Sequence, residues 1–413
     1  IPLLINNLLG NAITVSGNIV DSITLKPIAN VNVITDKGGT NSNSSGEFNL
    51  EFIDEMEEVT FSHIGYSEIT LMASEIRKTV HLTPMSLPSE DILVRSTLRE
   101  VSLLDATSSI TIIGSSNLRN EPSQHFQGLT QSIPNLNWAG GTSRPRYFQI
   151  RGVGERSLYA NEGPPNFSVG FVIDDIDFAG IGMPAILLDI NQIEIFRGPQ
   201  SSVYGANTLA GLISMQSNAP KNQFESTIQT GITSDNGKNI GLIINSPVIE
   251  NLNTRFTIYS GQENGFRENV YQNNIDSNSK SEKLVRNKTI WSPTSNFQTV
   301  ITSLIVDQDN KYDVWAPDNN ELLQTYSNSN GKDAQSSKAI SIKNSWFNTG
   351  NKNLISITAY SINKSEHSYD GDWGNSDFWS QAPYNVDGWD YSAIETTLRD
   401  RSTFTQEFRL LEN

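Results

Sequence analysis

From Gln223 onward, apolar and polar side chains alternate with a period of two. The runs are roughly 10–15 residues long, enough to cross a bilayer as tilted strands. Strands are predicted at 223–234, 238–248, 253–264, 283–292, 296–309, 336–347, 352–366 and 401–411. Ile240, Leu242 and Ile244 fall on one side of such a strand, with Asn239, Gly241 and Asn245 on the other. Phe404, Phe408 and Leu410 oppose Thr405, Glu407 and Arg409 in the same way, whereas 296–309 alternates poorly. The connections predicted between them are 235–237, 249–252, 265–282, 293–295, 310–335, 348–351 and 367–400. After the first, short and long connections alternate. A soluble sandwich has no need of that asymmetry, but a transmembrane barrel does, with tight turns at one rim and long loops at the other.

Composition narrows the function. The 413 residues leave room for more than one domain. A net charge of −16 with no basic stripe excludes a nucleic-acid partner. Cysteine is absent, which removes disulfides, thiolate metal sites and thiol nucleophiles together. Only His63, His81, His125 and His367 could supply imidazole, and no two of them stand at ligand spacing. The longest nearly uncharged apolar run, Phe178–Leu188, is far short of the roughly 20 residues a spanning helix needs. A bilayer can then be crossed only by a closed barrel, which satisfies every backbone group in lipid. No G-x-S-x-G, H-E-x-x-H or P-loop is present, and Gly152-Val153-Gly154 lacks the third glycine of a dinucleotide fingerprint. Asp370 and Asp372 lie in a Gly-, Asn- and Ser-rich stretch with no base or metal partner, and are read as solvated. No catalytic set, cofactor site or metal-ligand set is expected.

Ile1–Ala12 reads equally as the tail of a signal peptide or as an apolar N-terminal strand. Ile13–Pro84 has short alternating runs at Thr14–Val20, Val31–Thr35, Glu47–Phe52, Val59–His63 and Thr79–Leu82. Turn signals at Asp36-Lys37-Gly38-Gly39 and Ser44-Ser45-Gly46 separate them, so 13–84 is predicted to be a small β-sandwich. His63 and His81 fall in its strands as structural residues. The run G-N-I-V-D-S-I-T-L-K-P-I-A-N-V-N-V, with G-T-N-S-N-S-S-G-E-F-N-L and F-S-H-I-G-Y, resembles the carboxypeptidase-regulatory-like domain. Residues 85–100 are a linker whose short apolar centre, Ile92-Leu93-Val94, is flanked by Glu90-Asp91 and Arg95-Ser96-Thr97.

Within 101–222, Ser123–Ser132 is predicted to be a short helix stopped at Ile133-Pro134. V-G-F-V-I-D-D-I-D-F reads as a strand and hairpin, with Asp174, Asp175 and Asp177 as turn formers rather than a cation loop. Ile193–Phe196 reads as a strand stopped at Arg197-Gly198-Pro199, because proline cannot donate to a ladder. Small residues at Gly205, Ala206, Ala210 and Gly211 follow where the backbone must turn or pack closely.

The stretch E-I-F-R-G-P-Q-S-S-V-Y-G-A-N-T-L-A-G-L-I resembles the end of the plug domain of TonB-dependent outer-membrane receptors. S-I-P-N-L-N, R-P-R-Y-F-Q-I-R-G-V-G and the Val169–Phe178 hairpin resemble other parts of that plug, with Asp175 where the family usually has glycine. F-T-Q-E-F-R-L resembles one of its barrel strands. The resemblance implies a mainly β chain. An N-terminal β-sandwich leads to an α+β plug at 101–222, then, in 223–413, about eight strands of a 22-stranded antiparallel barrel whose C-terminal part is missing. It implies a Gram-negative outer-membrane location and contact with outer-membrane lipid.

Asp91, Ile92, Leu93, Val94 and Arg95 stand where the family carries its Ton box. There an extended segment adds to the sheet edge of a TonB-type periplasmic energising protein. A linker strand packing on its neighbour is the alternative. The plug motif residues are Arg151, Gly152, Arg197, Gly198, Pro199, Tyr204 and Gly205. Arg151 and Arg197 are expected to pair with carboxylates of the barrel wall, Glu407 among them. An external loop holding Tyr369, Trp373, Phe378, Trp379, Tyr384, Trp389 and Tyr391 would either grip a ligand or pack on itself. The family imports scarce solutes, most often a ferric siderophore. Glycan uptake of the SusC-like kind, and cobalamin or heme uptake, are alternatives, and a passive adhesin is the rival from another class.

Overall fold

A computed structural model describes residues 13–22, 24–53, 56–84, 93–94, 101–102, 106–121, 124–139, 141–155, 167–347, 352–385 and 392–412. The chain divides between Leu93 and Val94 into two compact units. Ile1–Ala12, Asp91, Ile92, Arg95, Trp389 and Tyr391 lie outside the described residues.

The first unit is two small sheets around one core. One has the order Glu47–Ile53, Ile13–Asp21, Thr79–Leu82, its first pair antiparallel and its second parallel. The other runs Gly38–Asn41, Asn32–Thr35, Glu58–Ser62, Ile69–Met72, all antiparallel. Alternation puts Ile19, Phe48, Leu50, Val80 and Leu82 of one sheet against Val33, Val59 and Phe61 of the other. Phe48 and Phe61 meet edge to face at 5.3 Å. Gly38–Asn41 and Ile69–Met72 are edge strands that the sequence pattern hides: the first has no buried residue, and the second packs Ile69 and Leu71 only partly buried against the core. His63 falls just past its strand with its ring 5.4 Å from Tyr66, and His81 is an exposed strand residue.

Leu93–Val94, which straddles the division between the units, and Val101–Ser102 form a two-stranded ladder at the start of the second unit. A five-stranded sheet follows, built from β1 (Ser109–Gly114), β2 (Val169–Ile173), β3 (Ile176–Asp177), β4 (Ile190–Arg197) and β5 (Gly211–Ser217). Its order is β1-β4-β5-β2-β3, with β5 parallel to β2 and the other pairs antiparallel. Ile193, Ile195 and Phe196 of β4 are fully buried, and β4 is paired along both edges, to β1 and to the central strand β5. Gly205, at φ 78°, ends the helical turn Ser201–Tyr204 in a conformation that favours glycine. Gly211 opens β5 where a Cβ would lie 2.2 Å from the Phe196 carbonyl oxygen, so no larger residue fits.

Between β2 and β3, Asp174 and Asp175 take φ of 48° and 68°, the conformation of a two-residue type I′ hairpin turn. Asp175 thus serves where glycine is usual, and the turn-forming reading of these aspartates describes the geometry. The expected 123–132 helix is shorter, a 3₁₀ turn over Phe126–Ser132 whose first turn is capped by the His125 ring. An unforeseen helical stretch, Ser115–Asn120, follows β1 directly.

The remaining strands are β6 (Glu225–Thr233), β7 (Gly237–Ile249), β8 (Leu252–Glu263), β9 (Lys280–Thr294), β10 (Phe297–Lys311), β11 (Lys332–Trp346), β12 (Lys352–Asp370) and β13 (Ile394–Glu412). They pair in strict sequence order, all antiparallel, as an open eight-stranded sheet edged by β6 and β13. The short connections 250–251, 295–296 and 347–351 lie at one rim, and 264–279, 312–331 and 371–393 at the other.

Register across the sheet sets the outer face. Phe256, Asn287, Ser303, Ile340, Tyr360 and Phe404 form one outward row. Nearer the long loops comes Ile258, Val285, Ile305, Lys338, Ile362 and Ser402. Beyond it stands the polar row Ser260, Lys283, Asp307, Ser336, Lys364 and Asp400. Phe297, Trp346, Leu354 and Leu410 close the band at the short-turn rim. Trp346 and Ser336 are about ten residues apart, which at ~3.4 Å per residue and a tilt of roughly 40° gives ~25 Å of height.

Candidate functional site

The inner face of this sheet carries both apolar and charged side chains. Tyr259, Leu284, Leu304, Val306, Ala339 and Ala359 join the core of the five-stranded domain. Around that contact, ion pairs tie the domain to the wall.

Toward the long-loop rim, the segment Ser143-Arg144-Pro145-Arg146 reaches outward. Arg144 forks onto Glu282, Nε to Oε1 at 2.7 Å and Nη2 to Oε2 at 2.8 Å. Arg146 Nη2 donates to Asp333 Oδ1 at 2.6 Å, and the Ser143 N–H and hydroxyl both donate to Oδ2 at 2.6 Å. His367 Nδ1 is 3.1 Å from the same Asp333 Oδ1. Gln308 and Asn310 also donate to Glu282. Glu282 is 3% exposed and Asp333 0%. Such carboxylates are stable in the wall only while these donors hold them.

His125 sits beside this cluster with Nε2 2.8 Å from the Met183 carbonyl. Burial, assisted by the Arg144 charge, lowers its pKa to about 3. The ring is therefore neutral, with Nδ1 accepting from Gln127 N–H at 3.1 Å and Nε2–H donating to Met183.

Toward the short-turn rim the polarity is reversed, with wall cations holding plug carboxylates. Arg255 forks onto Asp189, Nε to Oδ2 at 2.8 Å and Nη2 to Oδ1 at 2.7 Å. Arg286 Nη2 donates to the carbonyls of Leu188 (2.6 Å) and Asp189 (3.1 Å). Lys288 Nζ donates to Asp174 Oδ1 at 2.7 Å, and Ser217 donates to both Asp174 oxygens. Burial would raise the Asp174 pKa, but the Lys288 and Arg286 charges outweigh it and hold the carboxyl below its usual range. Asp177 lies 3.5 Å from Arg401, and there burial wins and raises the pKa. A cavity of about 650 Å³, lined in part by Asp174, Gln216, Lys288, Ser341 and Lys343, lies beside these contacts.

Among the described residues, neither arginine singled out in the sequence pairs with a wall carboxylate. Arg197 donates to Thr111 Oγ1 on the neighbouring strand β1 and to the Pro134 carbonyl at 3.1 Å. Cross-strand neighbours intercept it before it can leave the plug. Arg151 is exposed in a left-handed turn with φ 53°, followed by Gly152 at 78°. Glu407 takes Arg409, two residues along its own strand, at 2.6 Å. Tyr204 packs on Phe196 at 5.8 Å, and Gly198 turns the chain at φ 110°. The residues that do reach the wall flank Pro145 within R-P-R, and that pairing of like charges around a proline was the available signal.

Of the external aromatics, Phe378 is a hub, with Tyr326 at 4.6 Å, Tyr384 at 4.8 Å and Trp379 at 5.4 Å. This part of the loop packs on itself. Tyr369 donates its hydroxyl to Glu395 at 2.7 Å. Trp373 stacks on Trp315 at 5.8 Å, and both rings are about 40% exposed. Trp315 was not singled out, because nothing in its local sequence marks it. Asp370 and Asp372, expected to be solvated, are buried at 4% exposure each, because the chain between β10 and β11 packs over them.

Residues 102–212 match the TonB-dependent Receptor Plug Domain family. Among solved structures, the chain is similar to the ferric yersiniabactin uptake receptor FyuA of Yersinia pestis, with a TM-score of 0.55 at 15% identity, covering 63% of this chain and 42% of that one. It is similar to the ferric-catecholate import receptor Fiu of E. coli K12 in its closed form, with a TM-score of 0.59 at 15% identity and coverage of 77% and 45%. The siderophore receptor PiuA of Acinetobacter baumannii gives 0.59 at 16% identity, with coverage of 76% and 43%. The chain spans less than half the length of these three receptors, none of them an enzyme. At such identities the likeness is one of fold, a plug set against barrel strands.

Proposed function

We propose that this chain, which carries a TonB-dependent receptor plug domain against eight barrel strands, takes part in energised import of a ferric siderophore across the outer membrane. The observation that carries the reading is the ionic seating of the plug. Ion pairs and hydrogen bonds beside a roomy cavity can exchange for water when the plug is pulled, whereas a dry interface would expose apolar surface. In this reading Asp91–Arg95 is the Ton box, and a TonB-type periplasmic protein pulls on it by strand addition. Trp373 with Trp315 offers the flat external face for the ligand, while Tyr369 and Trp379 brace the loop behind it.

An oligosaccharide is the second reading, favoured by the same exposed tryptophan pair, since a flat indole face stacks on a sugar ring as well as on a catecholate. Iron-limited cells that depend on the full-length protein decide between them. A panel of ferric siderophores should include one whose labelled iron enters. Leu93→Pro removes a backbone donor and should abolish that entry while surface binding persists. Equal loss of binding and uptake would make the segment structural. Entry of an oligosaccharide but of no ferric siderophore would overturn the ligand.

A further inference from the structure

The outward face of the sheet carries two features that the import reading does not use. The first is a cation among apolar neighbours. Lys338 of β11 has Ile305 and Ile362 as its cross-strand partners and Ile340 two residues along. It is exposed, and among the described residues no carboxylate pairs with it. A charge facing lipid is destabilising unless it reaches the polar interface. Ser336, two residues nearer the long loops, stands about 5 Å higher for a tilted strand. The stem of a lysine spans that height, so the Lys338 ammonium can reach headgroup level.

The second feature is a groove of about 740 Å³ in the same wall, directly above Lys338. Ala334 and Ser336 of β11 are its small floor residues, between Asp307 and Asp309 of β10 and Lys364 and Glu366 of β12. It continues to Leu398 and Asp400 of β13 and so crosses four strands, roughly 14 Å at the usual strand spacing. Its charges are loosely held. Lys332 lies 3.1 Å from Glu366 and 3.7 Å from Asp309. Lys364 is 3.9 Å from Asp400, with both side chains more than two-thirds exposed. Exposed pairs of this kind contribute little and exchange partners readily. Asp307 has no cation partner among the described residues.

We propose that this groove, with Lys338 at its foot, binds the phosphorylated sugar headgroup of an outer-leaflet glycolipid. Depth selects a lipid, because the groove lies where the apolar band gives way to the polar row on the long-loop side. The mixture of charges selects the headgroup. A phosphate alone would meet carboxylates from both sides, whereas a phosphorylated sugar satisfies both signs. Its hydroxyls donate to Asp307 and its neighbouring acids, and its phosphate accepts from Lys338 and Lys364. The acyl chains then lie on the rows of Ile305, Ile340 and Ile362 below. The proposal does not depend on which solute is imported.

The test uses the delipidated full-length protein in detergent, with bound lipid counted by native mass spectrometry. The probes are lipid A with two phosphates on its disaccharide, the same lipid stripped of phosphate, and phosphatidylglycerol. Intact lipid A should bind at least tenfold more tightly than either of the others. Lys338→Leu suits its apolar row and should fold normally, yet weaken lipid A at least fivefold. Asp307→Ala should weaken lipid A and leave phosphatidylglycerol unchanged. Lys352→Gln, which removes an exposed charge at the opposite end of β12, should change nothing. Equal binding of phosphatidylglycerol, or equal weakening by Lys352→Gln, would overturn the site by reducing it to general attraction of anions. Unchanged lipid A binding in Lys338→Leu would overturn it as well.

Discussion

At the scale of single residues, the plug is held by charges that stand far apart in the chain. Arg146 and Asp333 are 187 positions apart, and no local pattern could join them. Glycine positions and the Asp174-Asp175 turn were legible because backbone conformation is a local property. The choice of partner for an arginine is a tertiary one, which is why Arg197 was misplaced and Arg144 and Arg146 went unnoticed. Arg146→Ala leaves Asp333 buried with its main cation gone, which should destabilise the seated plug by roughly 3–5 kcal/mol. Hydrogen exchange of β1–β5 in the full-length protein would show the loosening, together with leakage of small antibiotics into cells. Arg197→Ala, which frees no carboxylate, should leave leakage unchanged. His125 supplies a pH dependence at the same scale. Its folded pKa of about 3 lies below the unfolded value near 6.5, so the unfolded chain binds the extra proton. Stability is complete above pH 6.5 and should fall toward pH 3, by at most about 1.4 kcal/mol per unit. Plug melting followed between pH 7 and 4 checks this, and His125→Gln should flatten the slope.

At the scale of elements, strand identity was legible and strand length was not. The period of two marks only the part of a strand with one apolar face. β9, β11 and β13 begin at Lys280, Lys332 and Ile394, whereas alternation predicts 283, 336 and 401. The extra residues lie toward the long loops, where much of the outward face is polar and the ladder is held by backbone hydrogen bonds with cross-strand polar pairs such as Lys332–Glu366 and Tyr369–Glu395. The same logic hid the short edge strands of the N-terminal unit, which have no fully buried residue. The outward rows make a prediction that depends on depth. Ile340→Arg places a charge near the middle of the apolar band and should cost about 2–4 kcal/mol of folding stability in vesicles. Ser336→Arg, four residues along the same strand in the Lys283–Asp400 row, should cost about 0–1 kcal/mol. Urea titration of the two variants in lipid vesicles separates them, and equal costs would mean the band is misplaced.

At the scale of the whole molecule, the resemblance in the R-G-P segment and the rhythm of connection lengths led to a plug beside a barrel sheet. How the two are joined had to be seen. A few apolar wall residues meet the plug core, and the rest of the contact is polar and salt-bridged. That balance suits a domain that must stay seated at rest and yield under force, and it can be tested by denying the motion. The sequence contains no cysteine, so any introduced pair is unique in it. Ser143 Oγ and Asn310 Nδ2 are 3.0 Å apart across the interface. Replacing both by cysteine and joining them by a disulfide or a short bis-thiol reagent would tether plug to wall. If import needs the plug to leave its seat there, the tethered protein should bind its ligand normally and transport nothing, and a reductant should restore uptake to the disulfide form. Undiminished uptake with the link in place would mean that the passage opens elsewhere and that the Ser143–Arg146 contact with the wall is permanent.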